Sequence, residues 1–367
     1  MFEQYKGMID IDKVLYDSYQ YQYHGDIEDF YSQSFIEFEG NGKDALCWIT
    51  YQSEKYLFKK ISNFSYNIWG ELLSSELAKM LGIPCAEYRV ASLHGERGIL
   101  SKSFLKDDDR LILGREFFQK FYDKSALSIE DEHSYKKMYD GLSQSMFQSG
   151  NRSKYIFHSW NNLKDVDMIL KENPDITEKE YFDLFYFHIY MFLFDLITLQ
   201  GDRHPDNWGH ISRDGKILPG YLYDNSASFG LGFPNIEDRV IQYRNEFMTA
   251  RMLRNKSNLY SLMYQSKPLF VYSRNDIIHL DNYITEDFPH VFSSFLESAS
   301  NEIILIVDDF LECAKSINFE ELVKNLEDMN GVKMDEDVYF YVNNIFHDNL
   351  LRIEQILYDF KKGSRKK

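Results

Sequence analysis

Short runs rich in apolar and aromatic residues at 35–38, 45–51 and 56–61, separated by turn-forming residues, predict three antiparallel strands joined by hairpin turns. The turns are Gly40-Asn41-Gly42-Lys43-Asp44 and Gln52-Ser53-Glu54. A helical period follows. Leu73, Leu77 and Met80 share one face of a helix over residues 68–81, stopped by Gly82 with Pro84 just beyond. Residues 88–91 and 98–105 read as two further strands. The most apolar window, residues 181–199, runs into Gly201 and predicts a buried helix that delivers a polar loop. The short run 217–223 predicts a strand. Residues 107–180 predict mixed helices and loops, and 236–360 mainly helices, with periodic stretches at 302–313, 320–326 and 338–360.

A chain of 367 residues with 44% hydrophobic positions and no low-complexity tract can bury a sizeable core. Its 27 Tyr and 29 Phe are spread along the chain and suit packing. A net charge of −17 argues against binding a nucleic-acid backbone. The one basic cluster, Lys361, Lys362, Arg365, Lys366 and Lys367, reads as a solvated tail. Cys47, Cys85 and Cys313 are widely spaced without a metal-binding pattern, which fits a reducing compartment. The first residues carry no signal pattern, so a cytoplasmic location is expected, with export as an effector left open. Asp183, His188 and Asp195 interrupt the apolar window, which excludes it as a membrane span. Residues 1–34 are polar and Tyr-rich; Ile9, Ile11, Val14 and Leu15 suggest a packing extension without chemistry of its own.

The chemistry concentrates in Gly201-Asp202-Arg203-His204-Pro205-Asp206-Asn207 and in Tyr223-Asp224-Asn225-Ser226. Asp202 and Asn207 stand five positions apart (207 − 202), and Asp224 ends the predicted strand. Phosphoryl transfer needs a carboxylate near the attacking hydroxyl, and an amide oxygen and a second carboxylate to hold Mg2+ against ATP. The D-x4-N spacing is that of protein-kinase catalytic loops, although the same residues also make a polar turn. Upstream, Lys59 and Lys60 lie on a predicted strand, where kinases carry a phosphate-binding lysine, and Glu71 lies near the start of the next helix. Gly40 and Gly42 suit either a phosphate-approaching loop or an ordinary hairpin. A strand leaving a kinase small lobe becomes the adenine-reading hinge, which makes Ser103 and Phe104 adenine neighbours.

In order, Lys55-Tyr56-Leu57-Phe58-Lys59, Glu71 with Ala78-Lys79-Met80-Leu81-Gly82-Ile83-Pro84, Gly201-Asp202-Arg203-His204 with Asn207, and Tyr223-Asp224-Asn225-Ser226-Ala227-Ser228 resemble the HipA-like kinases, including their shorter CtkA-like members. The resemblance spans residues 35–350. It implies an α+β, bilobal protein-kinase-like fold with ATP between the lobes. The small antiparallel-sheet lobe with one helix covers residues 35–106, and a larger, mainly helical lobe covers 107–360. An N-terminal extension (1–34) and a basic tail (361–367) flank them. The resemblance gives Lys59 to the phosphates, Glu71 to Lys59, Asp202 the role of catalytic base, and Asn207 and Asp224 to Mg2+. His204 stands where many protein kinases carry a lysine, and it either bonds the transferring phosphate or supports the loop. The G-D-R-H-x-x-N loop also occurs in lipid kinases of the phosphatidylinositol class. HipA-like toxins have an antitoxin partner and an extra N-terminal subdomain, for which little room precedes Lys59. Residues 40–44 hold no Ser or Thr, so control by a phosphorylated serine there is not transferred. The expected activity is ATP- and Mg2+-dependent phosphorylation of Ser or Thr on a protein of unknown identity, and of the chain itself at Ser226 or Ser228. A small-molecule or lipid-headgroup kinase is the alternative. A nucleotide-binding pseudokinase has no need of all five residues Lys59, Glu71, Asp202, Asn207 and Asp224.

Overall fold

The computed structural model describes residues 6–15, 36–39, 46–51, 54–61, 63–106, 108–117, 163–203, 205–232, 235–253 and 287–364. Six strands form one sheet: β1 (Ile9–Asp10), β2 (Ile36–Glu39), β3 (Leu46–Tyr51), β4 (Glu54–Lys60), β5 (Tyr88–Leu93) and β6 (Glu96–Lys102), in the order β1-β5-β6-β4-β3-β2. All neighbours are antiparallel except β1 and β5. Strand residues alternate between faces, so Tyr56 and Phe58 of β4 point one way and Leu57 and Lys59 the other. Tyr56 and Phe58 are buried with Ile49, Leu100 and the N-terminal Ile9, Ile11, Val14 and Leu15. The N-terminal segment thus seals one face of the sheet, and it adds a parallel strand too short to announce itself by alternation.

Helix α1 (Phe64–Met80) packs on the other face, burying Trp69, Leu73 and Leu77 in one cluster with Val90 and Ile99. It begins ahead of residue 68, in a first turn that is only partly buried and therefore carries little periodic signal. Gly82, at φ +70°, ends it, and the Ile83 N–H donates to the Ala78 carbonyl at 2.8 Å.

Past Lys102 the expected strand gives way to a turn, where the Leu105 N–H donates to Ser103 Oγ at 3.2 Å. A second, three-stranded sheet follows, formed by β7 (Arg110–Leu113), β8 (Gly209–Arg213) and β9 (Lys216–Leu218). The strand expected over 217–223 is interrupted. Pro219 has no N–H to offer, and Gly220 lies so close to Gly209 that a Cβ would meet its carbonyl oxygen at 1.8 Å. The chain recovers at Leu222, which makes an isolated parallel bridge to Cys85.

The remainder is helical: α2 (Leu163–Glu172), α3 (Glu178–Thr198), α4 (Ile236–Leu253), α5 (Asp287–Ser298), α6 (Asn301–Lys315), α7 (Phe319–Asn330) and α8 (Glu336–Ser364). Helix α3 is the core of this part, buried from Phe187 onward apart from Tyr190. The periodic stretches at 302–313, 320–326 and 338–360 are α6, α7 and α8. Lys361 and Lys362 lie on the last turn of α8, and Lys361 Nζ donates to Asp308 at 2.6 Å. Asn330, buried at the end of α7, accepts from the Val90 N–H at 2.9 Å and from Arg89 Nε at 3.2 Å, fastening α7 to β5. Among the described residues, no helix is long and apolar enough to cross a membrane.

Between α3 and β8, His188 and His210 meet Nε2 to Nε2 at 2.9 Å, with Trp208 and Phe117 edge-on around them. Burial pushes both imidazoles down from 6.5, His210 to about 3, so both rings are neutral in the folded protein. Unfolding lets each regain a proton near its ordinary pKa. The stability this pair contributes is complete above pH ~6.5 and is lost as pH falls toward the folded-state values. Unfolding free energy is expected to drop between pH ~6.5 and ~5 by up to ~1.4 kcal/mol per pH unit for each ring. Denaturant titrations across that range check it. A folded His188→Phe/His210→Phe double variant flattens the acid limb; an unchanged limb would assign the acid lability to other groups.

Candidate active site

Two elements deliver the polar loop. Helix α3 is started by Thr177 and Glu180 in a reciprocal capping box and stopped at Leu199, which takes a left-handed conformation at φ 47°. Its last turn leaves Asp195 fully buried. The loop then turns outward, so that Asp202 is exposed while Arg203 and Asn207 are buried. Asn207 Nδ2 donates to the Asp202 carbonyl at 2.8 Å, and the Asp202 N–H donates to Gln200 Oε1 at 3.1 Å.

Asp224 arrives from the other side. The Leu222 N–H donates to the Pro84 carbonyl and the Ala86 N–H to the Leu222 carbonyl, both at 2.8 Å. One residue on, the Asp224 N–H donates to the Tyr88 hydroxyl at 3.2 Å. Asp224 has φ 55°, a left-handed conformation that Asp and Asn tolerate better than most residues. Its carboxylate meets Lys59 Nζ at 2.5 Å. The Asn225 N–H donates to Glu71 Oε2 at 2.7 Å. Glu71 is fully buried, and its Oε1 has no hydrogen-bond partner among the described residues. Burial, then the Asp224 carboxylate, push the Glu71 carboxyl up to about 7 against the lowering effect of Lys59.

Lys59, Glu71, Ser103, Phe104 and Asp224 line one cavity of about 260 Å³. Its apolar wall includes Leu46, Trp48, Leu57 and Ile99, and its charged end is the Lys59–Asp224 pair. Phe104 stacks on Tyr221 with ring centroids 4.6 Å apart, which ties the segment after β6 to the approach of Asp224. The resemblance gives Glu71 to Lys59; the ion pair of Lys59 runs to Asp224 instead, and Glu71 braces the Asn225 backbone. Asp202 and Asn207 do not line this cavity; they join its charged end through Gln200 and Arg203. Gly40, Gly42 and His204 lie outside the described residues. A second cavity of about 260 Å³ lies between α2, the N-terminal half of α3 and the α5–α6 junction. Its carboxylates Asp167 and Glu302 are engaged by the hydroxyls of Tyr181 and Tyr186.

An apolar slot ending in a lysine and a carboxylate suits a nucleotide, whose base is flat and whose phosphates are anionic. The donor set also suits Mg2+. Asn207 and Asp224 offer hard oxygens, and phosphates and water supply the rest of such a shell. Among the described residues, no group of three or more His, Cys, Asp or Glu could hold a metal unaided.

Asp195 and Tyr88 are site residues outside the motifs, and Arg203 and Asn225 stand within them without an expected role. Asp195 carried a readable signal, because a carboxylate in the most apolar helix of a chain requires a buried partner.

No protein-family model matches the chain, and no curated protein matches its sequence. Among solved structures the fold is similar to that of the proinflammatory kinase CtkA from Helicobacter pylori, with TM-score 0.58, 14% identity, and coverage of 90% of this chain and 97% of that one. A HipA chain from the HipA, HipB and operator DNA complex of Shewanella oneidensis MR-1 matches with TM-score 0.44, 14% identity, and coverage of 97% and 72%. The CtkA match shows that the chain has a kinase-like α+β fold, and the expected likeness to that group is present in the fold.

Proposed function

We propose that the protein is an ATP- and Mg2+-dependent kinase that phosphorylates Ser or Thr hydroxyls on protein. The observation that carries this reading is the Lys59–Asp224 pair at the charged end of an apolar cavity, with Glu71 buried behind it. Bound ATP and Mg2+ supply the γ-phosphate and the positive charge that neutralises it. In this reading Lys59 binds the phosphates, and Asn207 and Asp224 hold the metal. Ser103 and Phe104 border the base. Asp202, exposed at the open side of the loop, orients the acceptor hydroxyl and accepts its proton. Glu71 and Tyr88 fix the backbone of Asn225 and Asp224.

Protein is favoured as acceptor by the motif resemblance and by the charge of −17, which offers little to an anionic membrane. Of the two serines past Asp224, Ser228 is fully buried in the short helical turn Ser228–Gly230, so only Ser226 keeps exposed surface for self-modification. The test is incubation with labelled ATP, Mg2+ and a panel of proteins, sugars and inositides, followed by phosphopeptide mapping. Phosphoserine or phosphothreonine on protein is the expected product. Rapid turnover on a small molecule without phosphoprotein would make the enzyme a small-molecule kinase, and no turnover on any acceptor would sink the kinase reading.

A further inference from the structure

Arg203 follows the proposed base directly, yet its side chain is fully buried. All five of its N–H groups are used. Nε and one N–H of Nη2 fork onto the Asp195 carboxylate at 3.1 and 3.0 Å. Nη1 donates to the carbonyls of Asn207 and Tyr223, each at 2.9 Å. The remaining N–H of Nη2 donates to Asn225 Oδ1 at 2.6 Å. Burial opposes the charge, but the Asp195 carboxylate outweighs it and holds the guanidinium above its ordinary pKa.

These bonds reach the chain at both metal-ligand candidates. One ends on the backbone of Asn207 itself, and two end on the residues flanking Asp224. The Asp224 loop is otherwise carried by the sheet lobe, through the Leu222 bridge to Cys85, the Glu71–Asn225 bond and the contact with α1. That contact is so close that a Cβ on Gly70 would meet the Ser226 carbonyl oxygen at 2.5 Å. The Asn207 loop is carried by α3. Gln200 Nε2 to the Asp224 carbonyl at 3.4 Å and the Tyr223 hydroxyl to the Asp206 carbonyl at 3.0 Å also cross between them. Arg203 binds both loops and the Asp195 carboxylate of α3 with one rigid group.

We infer that Arg203 is a positioning residue that sets the separation of Asn207 and Asp224, with Asp195 as its anchor and Asn225 as its link toward the sheet lobe. The inference rests on the reading of Asn207 and Asp224 as Mg2+ ligands. A planar fork with five fixed donors can hold three backbone and side-chain acceptors in register; a lysine can balance Asp195 but cannot reproduce the fork. Groups that orient metal ligands typically change metal affinity by 10–100-fold when removed.

The test measures binding of a fluorescent nucleoside diphosphate with and without Mg2+ in the full chain, in Arg203→Lys and in Asn225→Ala, alongside their melting curves. Wild type is expected to bind the nucleotide more tightly with Mg2+. In both variants Mg2+-free binding stays near wild type, while the half-saturating Mg2+ concentration rises ~10-fold or more. A merely structural Arg203 would lower the melting temperature and leave that concentration unchanged. Folded variants with a wild-type Mg2+ requirement therefore overturn the role of Arg203 and leave the kinase reading intact. No Mg2+ effect on wild type would overturn the metal-ligand reading and this inference with it. If Arg203→Lys does not fold, Asn225→Ala decides, since it removes the bond from Arg203 and a long one to Cys85 Sγ at 3.7 Å and leaves the Asp195 pair in place.

Discussion

Asp224→Asn is expected to lower Mg2+-dependent phosphoryl transfer by ~10³-fold or more while the protein stays folded. The backbone of this residue is held by groups that the substitution does not touch: the Tyr88 hydroxyl, the Leu222 bridge and Glu71 through Asn225. Asn is also among the few residues suited to φ 55°, so the turn is not strained by the change. What is lost is the ion pair with Lys59, in which the Asp224 side chain is 34% exposed. A partly exposed pair contributes about 1 kcal/mol or less, too little to unfold a domain. The neutral amide, by contrast, is a much poorer partner for a hard dication. Turnover with Mg2+ and a melting curve on the same preparation check both halves. Undiminished transfer would remove Asp224 from the metal site.

The parts of this fold that were legible beforehand are those with a local cause. Short apolar and aromatic runs between turn residues mark β3 and β4, Gly82 marks the end of α1, and an apolar run ending in Gly201 marks α3. The D-x4-N spacing is legible because it is local as well. The unexpected features join distant segments. Strand β7 pairs with β8 across the whole of α2 and α3, with Arg110 opposite Ser212, and four residues beside an acidic run carry no alternation strong enough to announce it. Strand β1 has two residues and takes its place only because Ile9 and its neighbours have an apolar sheet face to cover.

The site divides the same way. The residue types were readable, but their pairing was not. Glu71 and Asp224 compete for one ammonium, and which carboxylate holds Lys59 depends on distances no spacing encodes. The Asn225 N–H gives Glu71 an alternative partner at 2.7 Å, and Lys59 goes to Asp224. Arg203 was hidden for another reason. Within a run of turn-forming polar residues it looks like a solvated side chain, and only its burial beside Asp195 shows that it faces inward.

Lys59→Met is expected to reduce phosphoryl transfer by ~10²–10³-fold, and Lys60→Met to leave it within about twofold of wild type. The two lysines are adjacent on β4, so one faces the cavity and the other does not. Lys59 shares the cavity face with Leu57, whereas Lys60 pairs with Glu96 at 3.0 Å with 42% of its side chain exposed. Losing that second pair removes a surface contact worth a few tenths of a kcal/mol. Losing Lys59 removes the positive charge paired with Asp224 at the end of the cavity. The Glu71 carboxyl, already at about 7, then rises further, since Lys59 is the main group holding it down. The site thus loses both its phosphate partner and the charge balance in front of Glu71. Parallel kinetics of the two variants at saturating ATP and Mg2+ check the assignment. An equal or greater loss in Lys60→Met would require β4 to be turned over, bringing Tyr56 and Phe58 out of their buried contact with the N-terminal segment and into the cavity.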